Sequence, residues 1–371
     1  MRALITGANG FIGRNLAQRL MERADTEVIR VTREAAVDDL PRAVASADIV
    51  FHLAGVNRPA DPAEFETGNV GLTARLGQAL RDAGRPVPVV FASSTQAALD
   101  NQYGRSKRAA EESLRQDGRS AGAPVYLFRL PNVFGKWSRP NYNSAVATFC
   151  HNIARELPIS VRDPLAPVTL VYIDDVVTRF IALLEGGRAP AETFEAIGPV
   201  YETTVGELAD QIRSFRNCRT TLLVERVGTG LTRALYSTYV SFLPTSGFSY
   251  PLPAYGDPRG TFVELLKTRD SGQFSYFTAH PGVTRGGHYH HSKTEKFLVI
   301  RGKARFRFRN LATDERHEVV SCGDRPEVVE TVPGWAHDVT NIGAEELIVM
   351  LWANEIFDRA LPDTVASGSL A

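Results

Sequence analysis

Two sets of side chains in this sequence have the types and spacing for chemistry. The first is Tyr103 and Lys107, with Ser93 and Ser94 shortly before them. Residues four apart share one face of a helix, so the Lys107 ammonium can sit beneath the Tyr103 phenol. A cation there favours the phenolate and draws the phenol down from ~10 toward neutrality, making it a usable proton donor to a carbonyl under reduction. A serine hydroxyl facing it would hold the same oxygen, and spacing alone leaves Ser93 and Ser94 equal for that part. The second set is His288, His290, Glu295 and His337. His288 and His290 alternate along a strand and point to one side. With Glu295 and His337 they make a three-nitrogen, one-oxygen set suited to Zn2+ or another divalent ion. The competing readings are a run of solvent-exposed histidines, or a metal-free pocket in which they move protons.

What must position the first set is a parallel sheet. The apolar run Ala3-Leu4-Ile5-Thr6 stops at Gly7, and Ile12, Leu16 and Leu20 then recur at helical spacing. Between them lies Gly7-Ala8-Asn9-Gly10-Phe11-Ile12-Gly13. In such a loop the first glycine makes the tight turn, the second admits backbone to a pyrophosphate, and the third lets helix pack on strand. The helix N-terminus then offers its N–H groups to the phosphates. Buried-type strands at residues 28–32, 49–54, 88–92 and 125–130 alternate with helical stretches at 72–80 and 107–114. That alternation predicts a doubly wound, Rossmann-type parallel α/β sheet covered on both faces. Thr32 and Arg33 stand at the end of the second strand, where an acidic residue would accept a free ribose 2′-hydroxyl. A small neutral residue with a guanidinium suits a 2′-phosphate, so NADPH is expected over NADH. Glu34 beside them counts against it, and Arg33 as a solvated surface charge is the plain alternative.

The glycine loop, Phe51-His52-Leu53-Ala54-Gly55, Asn69, Ser93-Ser94, Tyr103 with Lys107, Pro131-Asn132-Val133-Phe134-Gly135 and the run at 171–177 together resemble an extended short-chain dehydrogenase/reductase over residues 1–245. The resemblance implies that Tyr103 is the catalytic acid, that Lys107 binds the nicotinamide ribose and tunes Tyr103, and that Ser94 or Ser93 polarises the carbonyl. It lays Gly7, Gly10, Phe11, Ile12, Gly13, Leu53, Ala54 and Gly55 along the cofactor beside Thr32 and Arg33, and turns Asn132 toward the substrate. The interval from Ser94 to Tyr103, nine residues, is shorter than sugar-nucleotide members usually have. Asp175 reads as a structural cap.

From residue 238 to 260 Ser, Pro, Gly and Tyr replace helical periodicity, which reads as a linker. Short strands follow at 297–300, 304–308, 318–320 and 347–352, and Arg305-Phe306-Arg307-Phe308-Arg309 alternates strictly. An all-β barrel or jelly roll is expected. The stretch from Gly282 through His288, His290 and Glu295 to Gly302, with the later one ending at His337 and Asn341, resembles the two motifs of the cupin superfamily. Asp257-Pro258-Arg259-Gly260-Thr261-Phe262-Val263-Glu264 and residues 282–289 are similar to the dTDP-keto-sugar 3,5-epimerases, in which the histidine at the His288 position is a base. His290 and His291 are additions here that favour metal, so His288 has two competing roles, ligand and base.

A reductase followed by a cupin, with Ala234-Leu235-Tyr236-Ser237-Thr238-Tyr239 and Phe248-Ser249-Tyr250-Pro251 between, resembles the bifunctional capsular and O-antigen polysaccharide enzymes. The resemblance implies a metal-binding cupin domain, residues 246–371, that epimerises C3 of a UDP-2-acetamido-2,6-dideoxy-4-keto-hexose. A reductase domain, residues 1–245, would then reduce C4 with NADPH, giving the L-talose sugar on the way to UDP-N-acetyl-L-fucosamine. The alternative is a single-activity NADPH reductase whose cupin is a binding or dimerisation module. A dinucleotide sensor without turnover is at odds with the Tyr103/Lys107 pair. By analogy with both folds a homodimer is expected.

Composition narrows the partners. The 371 residues are long enough for two or three domains, and 42 basic against 42 acidic side chains give no net charge to draw nucleic acid or a membrane surface. Cys150, Cys218 and Cys322 are too few and too scattered for a disulfide framework, so a cytoplasmic enzyme is expected. No apolar run reaches the ~18 residues of a membrane span, and the first residues lack the pattern of a signal peptide.

Overall fold

Five short strands, apolar on both sides, set the first architecture. In chain order the elements are β1 (Arg2–Thr6), α1 (Phe11–Met21), β2 (Glu27–Val31), α2 (Leu40–Ser46), β3 (Ile49–His52), α3 (Leu72–Asp82), β4 (Val89–Ser94), α4 (Gln102–Ala121) and β5 (Val125–Leu130). All pairings are parallel, in the order β2-β1-β3-β4-β5. Ala3, Leu4 and Ile5 are buried in succession, as a strand covered on both faces requires. One core layer joins Leu4, Val50, Phe91 and Leu127 of the strands to Leu76, Leu80 and Leu114 of α3 and α4. The doubly wound sheet expected from the sequence is therefore present. The winding direction reverses between β1 and β3, which opens a crevice at their carboxyl ends. Gly7 leaves β1 and Leu53-Ala54-Gly55 leave β3, so both expected cofactor segments reach the same crevice. The computed structural model describes residues 1–32, 39–185, 190, 193–257, 260–263, 266–268, 273–355, 360–368 and 370. Arg33 and Glu34, and Pro258, Arg259 and Glu264 of the epimerase-like motif, lie outside the described residues.

The second architecture is a pair of five-stranded sheets. One runs Ser249–Pro251, Glu327–Glu330, Glu295–Arg301, Leu347–Ala353, Gln273–Ala279, and the other Arg316–Cys322, Lys303–Asn310, Trp335–Asn341, Thr284–Tyr289, Val365–Ala366. Every pairing within them is antiparallel. Along Lys303–Asn310 Phe306 and Phe308 are buried while the arginines between them reach the surface layer, the alternation read from the sequence.

Compactness groups the chain as Met1–Phe134 with Val168–Glu202, and Gly135–Pro167 with Thr203–Ala371. The helices Ala145–Ala154, Val205–Thr221 and Gly230–Ser241 thus belong to the same unit as the barrel, although the sequence motifs change near 245/246. The linker expected from residue 238 starts later. Thr238, Tyr239 and Val240 complete a buried helix, because the Thr238 hydroxyl returns its hydrogen bond to Ala234 O at 2.7 Å. Phe248, inside the expected linker, packs edge-on against Trp335 at 4.8 Å and Phe308 at 5.4 Å.

In that second unit the Glu330 carboxylate is buried between the Arg219 guanidinium and the Lys296 ammonium, with Tyr250 OH 3.3 Å from Lys296. The two cations hold Glu330 below the usual carboxylate range against the opposing effect of burial. Glu330→Ala would leave two buried cations without a counter-ion. It should lower the unfolding free energy by about 3–5 kcal/mol, read as an earlier urea midpoint. A loss under about 1 kcal/mol would mean that the triad is solvent-screened.

Candidate active site and metal centre

The crevice between β1 and β3 is shaped by missing side chains. Gly7 has φ +68°, and a Cβ there would lie 2.7 Å from Ala54 Cα; one on Gly13 would lie 2.3 Å from Gly7 O. Gly10 N donates to Gly7 O at 2.8 Å, and α1 starts from Gly10 with Phe11 and Ile12 in its first turn and no side chain capping its N–H groups. A bare helix N-terminus behind close-packed glycine backbone fits a pyrophosphate, so the residues present fit a nicotinamide dinucleotide. Thr32 directly follows β2.

Beneath the cradle runs a chain of hydroxyls and one imidazole. Thr73 Oγ1 donates to Asn69 O at 2.6 Å, so it must accept from His52 Nε2 at 2.9 Å. His52 Nδ1 then accepts from Thr6 Oγ1 at 2.7 Å, whose oxygen in turn receives Ala54 N–H at 3.3 Å. Burial pushes His52 down to about 3, with the Lys107 charge adding to it, so the ring stays neutral. Asn69 pins the loop after β3: its amide accepts from Val56 N at 2.7 Å and donates to Val56 O at 3.0 Å and Ser106 Oγ at 2.9 Å. Ser106 Oγ donates to Tyr103 O at 2.8 Å. Asn69 was legible as part of a family pattern; its bracing of Tyr103 was not.

α4 presents Tyr103 and Lys107 on one face, its start fixed by Asn101 Oδ1 accepting from Gly104 N at 2.7 Å. The Lys107 ammonium is buried. It donates to Ala92 O at 2.8 Å and lies 4.5 Å from the centre of the Phe91 ring. Burial draws it down to about 8, Glu111 opposing. Tyr103 departs from the expectation of a lowered phenol. Burial raises it above 10, and what lowers it is the Ser94 hydroxyl within hydrogen-bonding reach rather than the ammonium. The physical reason is that Nζ is held by the strand carbonyl of Ala92. The two serines separate here. Ser94 ends β4 toward Tyr103 and accepts from Gln96 N at 3.2 Å, whereas buried Ser93 donates to Glu111, itself bound to Arg129 at 2.7 Å. Asn132 is exposed at the start of a short strand, and its amide donates to Thr169 O at 3.0 Å.

In the barrel the structure brings His288, His290, Glu295 and His337 together, with one ligand atom from each within 4.8 Å of the others. The three rings stand 4.8–5.2 Å apart, and His290 Nε2 is 3.2 Å from Glu295 Oε2. His290 and His337 are buried, which rules out an exposed histidine run. Burial, with the neighbouring rings, pushes His288 down to about 4, and burial also lowers His337, so both offer lone pairs at neutral pH. Burial would raise Glu295, yet His290 and the Lys293 ammonium, 2.9 Å from its other oxygen, hold it well below the carboxylate range. Neither ring nitrogen of His337 has a hydrogen-bond partner among the described residues, Glu295 Oε2 standing off at 3.6 Å. Orphaned buried nitrogens converging on a carboxylate fit a divalent cation. A pocket of about 220 Å3 opens beside them, lined by Phe277, Arg285, His288, Phe297, His337 and Leu351 among others. His337 follows the turn at Gly334, where φ is +81° and a Cβ would come within 2.9 Å of the Trp137 ring.

Residues 3–196 match the NAD dependent epimerase/dehydratase family, and residues 255–365 the polysaccharide biosynthesis C-terminal domain. The chain belongs to the NAD dependent epimerase/dehydratase family. Within the family it is 61% identical over 366 residues, 99% of this chain and 98% of the relative, to UDP-2-acetamido-2,6-beta-L-arabino-hexul-4-ose reductase of Pseudomonas aeruginosa. A crystal structure of the capsular polysaccharide assembling protein CapF from Staphylococcus aureus covers both chains fully at 40% identity and a TM-score of 0.69. The chain is thus one of the capsular type, an epimerase/dehydratase sheet followed by a cupin-like barrel. The NAD complex of Bacillus cereus UDP-glucuronic acid 4-epimerase covers 60% of this chain and 84% of its own at 19% identity, TM-score 0.51, which speaks for the shared fold alone. Among the described residues no helix is long and apolar enough to cross a membrane.

The split between the serines is testable. Ser94→Ala should cut carbonyl reduction by roughly 10²–10³-fold, the usual loss of one donor to a developing oxyanion, with the melting temperature unchanged. Ser93→Ala should instead cost stability, about 1–3 kcal/mol for its buried partner, and spare kcat. The reverse pattern would reassign the two.

Proposed function

We propose that this chain is a bifunctional nucleotide-sugar enzyme. At the barrel cluster it epimerises C3 of a UDP-2-acetamido-2,6-dideoxy-4-keto-hexose, and at Tyr103 it reduces the C4 ketone with NADPH. The observation that carries the reductase half is the Tyr103 phenol within reach of Ser94 on the helix that buries Lys107, alongside 61% identity to a reductase of such a sugar. Support for the epimerase half is the four-donor cluster beside its pocket.

A bound NADPH supplies the hydride. Tyr103, protonated throughout the neutral range, gives its proton to the C4 oxygen while Ser94 donates a hydrogen bond to that oxygen. The phenolate that results is steadied by the Ser94 hydroxyl, while Lys107 binds the nicotinamide ribose. NADPH selection rests on Thr32 and Arg33. In the barrel His288, His290, Glu295 and His337 would hold a divalent ion, Zn2+ by its nitrogen-rich donor set, which supplies Lewis acidity to the ketone oxygen. His288, neutral and on the pocket wall, keeps both readings, ligand and base; as base it takes the C3 proton, and a proton from solvent returns to the opposite face. A hydrogen α to a ketone is acidic only while the ketone lasts, so reduction after epimerisation locks in the new centre.

A second reading, a reductase alone with the barrel as a binding or dimerisation module, is favoured by the relative's name, which mentions reduction only. Incubation of the keto sugar in D2O without NADPH separates them. The bifunctional reading requires deuterium at C3, retained in Tyr103→Phe although that variant no longer consumes NADPH. Absence of deuterium leaves the second reading.

The pH profile follows from Lys107. Its ammonium persists below about 8 and is lost above it, so kcat/KM for NADPH should fall as pH rises through about 8, while Tyr103 still holds its proton. Lys107→Arg, permanently charged, should remove that limb. A kcat/KM that is flat to pH 9.5 in the wild type would detach the ammonium from cofactor binding.

A further inference from the structure

The histidine tract is gripped from the far end of the chain. The Asp363 carboxylate accepts the main-chain N–H groups of His291 at 2.8 Å, Ser292 at 2.7 Å and Lys293 at 2.7 Å, and the Ser292 hydroxyl at 3.1 Å. Three successive amides closing on one carboxylate form an anion nest, here filled by a side chain of the same protein. The main-chain carbonyl of Asp363 meets His290 Nδ1. A carbonyl can only accept, so His290 carries a proton on Nδ1, and Nε2, 3.2 Å from Glu295 Oε2, is the nitrogen turned to the cluster. Just downstream, Val365 and Ala366 add to the His288 strand, opposite Tyr289 and His288, and Ser367 N donates to Gly287 O at 2.8 Å. The same short segment therefore fixes the backbone at His288 and the Nδ1 proton and place of His290.

We propose that Asp363 is a positioning residue of the barrel's metal centre. Its carboxylate anchors the 291–293 turn, and that anchorage aims its own carbonyl at His290. The proposal rests on the reading that the four donors hold a divalent ion. Outer partners of ligating histidines commonly change metal affinity 10- to 100-fold when removed.

The test uses the full chain, stripped of metal, titrated with Zn2+ alone against a chromophoric chelator. Asp363→Ala should weaken Zn2+ binding 10- to 100-fold and shrink the rise in melting temperature that Zn2+ produces. At saturating Zn2+, nitrogen NMR of the histidines should show the His290 Nδ1–H, covered by the Asp363 carbonyl in the wild type, exchanging faster with water. Asp363→Asn keeps one acceptor oxygen and should fall between Ala and wild type, and it decides the matter if the Ala variant does not fold. A purely structural role predicts instead an equal drop in melting temperature with and without Zn2+ and an unchanged Nδ1–H exchange rate. Variants that bind Zn2+ as tightly as wild type would overturn the proposal. A wild type that binds no Zn2+ would overturn the underlying reading of the cluster, a distinguishable result.

Discussion

The first unit is arranged around one unfavourable act, the burial of the Lys107 ammonium. Taking such a charge out of water costs several kcal/mol unless partners replace the water. Ala92 O, the face of Phe91 and the charge of Glu111 do that replacing. Each has consequences nearby. Glu111 must itself be held, and Ser93 and Arg129 hold it. Position 55 must be small, because a Cβ there would stand 3.1 Å from Asn69 Oδ1 and 3.6 Å from Lys107 Nζ. His52, below the same charge, must stay neutral, and the hydroxyls of Thr6 and Thr73 satisfy both its nitrogens without a proton being added. What results is an incompletely solvated cation at the mouth of a glycine-lined crevice.

The barrel solves the opposite problem. Its cluster gathers electron-pair donors, three imidazoles and a carboxylate. Burial keeps His288 and His337 neutral, and the neighbouring imidazoles, above all His290, with Lys293 keep Glu295 ionised. A site of this kind is poised for a cation and costly without one, since unsatisfied buried nitrogens forfeit the hydrogen bonds that water would make. Rigidity matters as much as the donor set. His288 lies where the register slips between Gly286 and His288, and it faces His337 on the neighbouring strand.

Local pattern carried the reading of this sequence as far as local physics reaches. The glycine loop, the Tyr103/Lys107 helix face and the His288/His290 alternation are all short-range, and each appears in the structure as spaced. The choice between Ser93 and Ser94 was not legible, because it depends on Glu111, which is eighteen residues beyond Ser93 and placed by tertiary packing. The expected lowering of Tyr103 failed for a related reason. An i, i+4 spacing fixes the helix face, while the end of a four-carbon lysine stem goes wherever a carbonyl is free, here on the neighbouring strand. Thr238 and Tyr239 looked like linker because polar residues weaken hydrophobic periodicity, yet the Thr238 hydroxyl is satisfied inside a helix and the Tyr239 ring is buried there. Asp363, seventy or more residues from the amides it binds, left no signal at all.

The place where the two sequence families meet is not where the second unit divides. Arg219 belongs to the helix Val205–Thr221, and Lys296 and Glu330 to barrel strands, yet the three share one buried charge network, while Phe248 lies between Trp335 and Phe308. Ser237 and Arg233, on the helix Gly230–Ser241, bond Ser292 in the histidine turn itself. Cutting at 245/246 would strip the barrel of Arg219 and uncover apolar surface that no barrel residue replaces. The barrel is therefore a site built onto the helices rather than an appended module. On the proposed chemistry that arrangement has a physical use. Epimerisation next to a ketone is reversible and its product is as labile as its substrate, so the step gains direction only from the reduction that follows it. One chain that carries both the Tyr103 site and the barrel would keep the two proposed catalysts in fixed stoichiometry, whatever the concentration of either product.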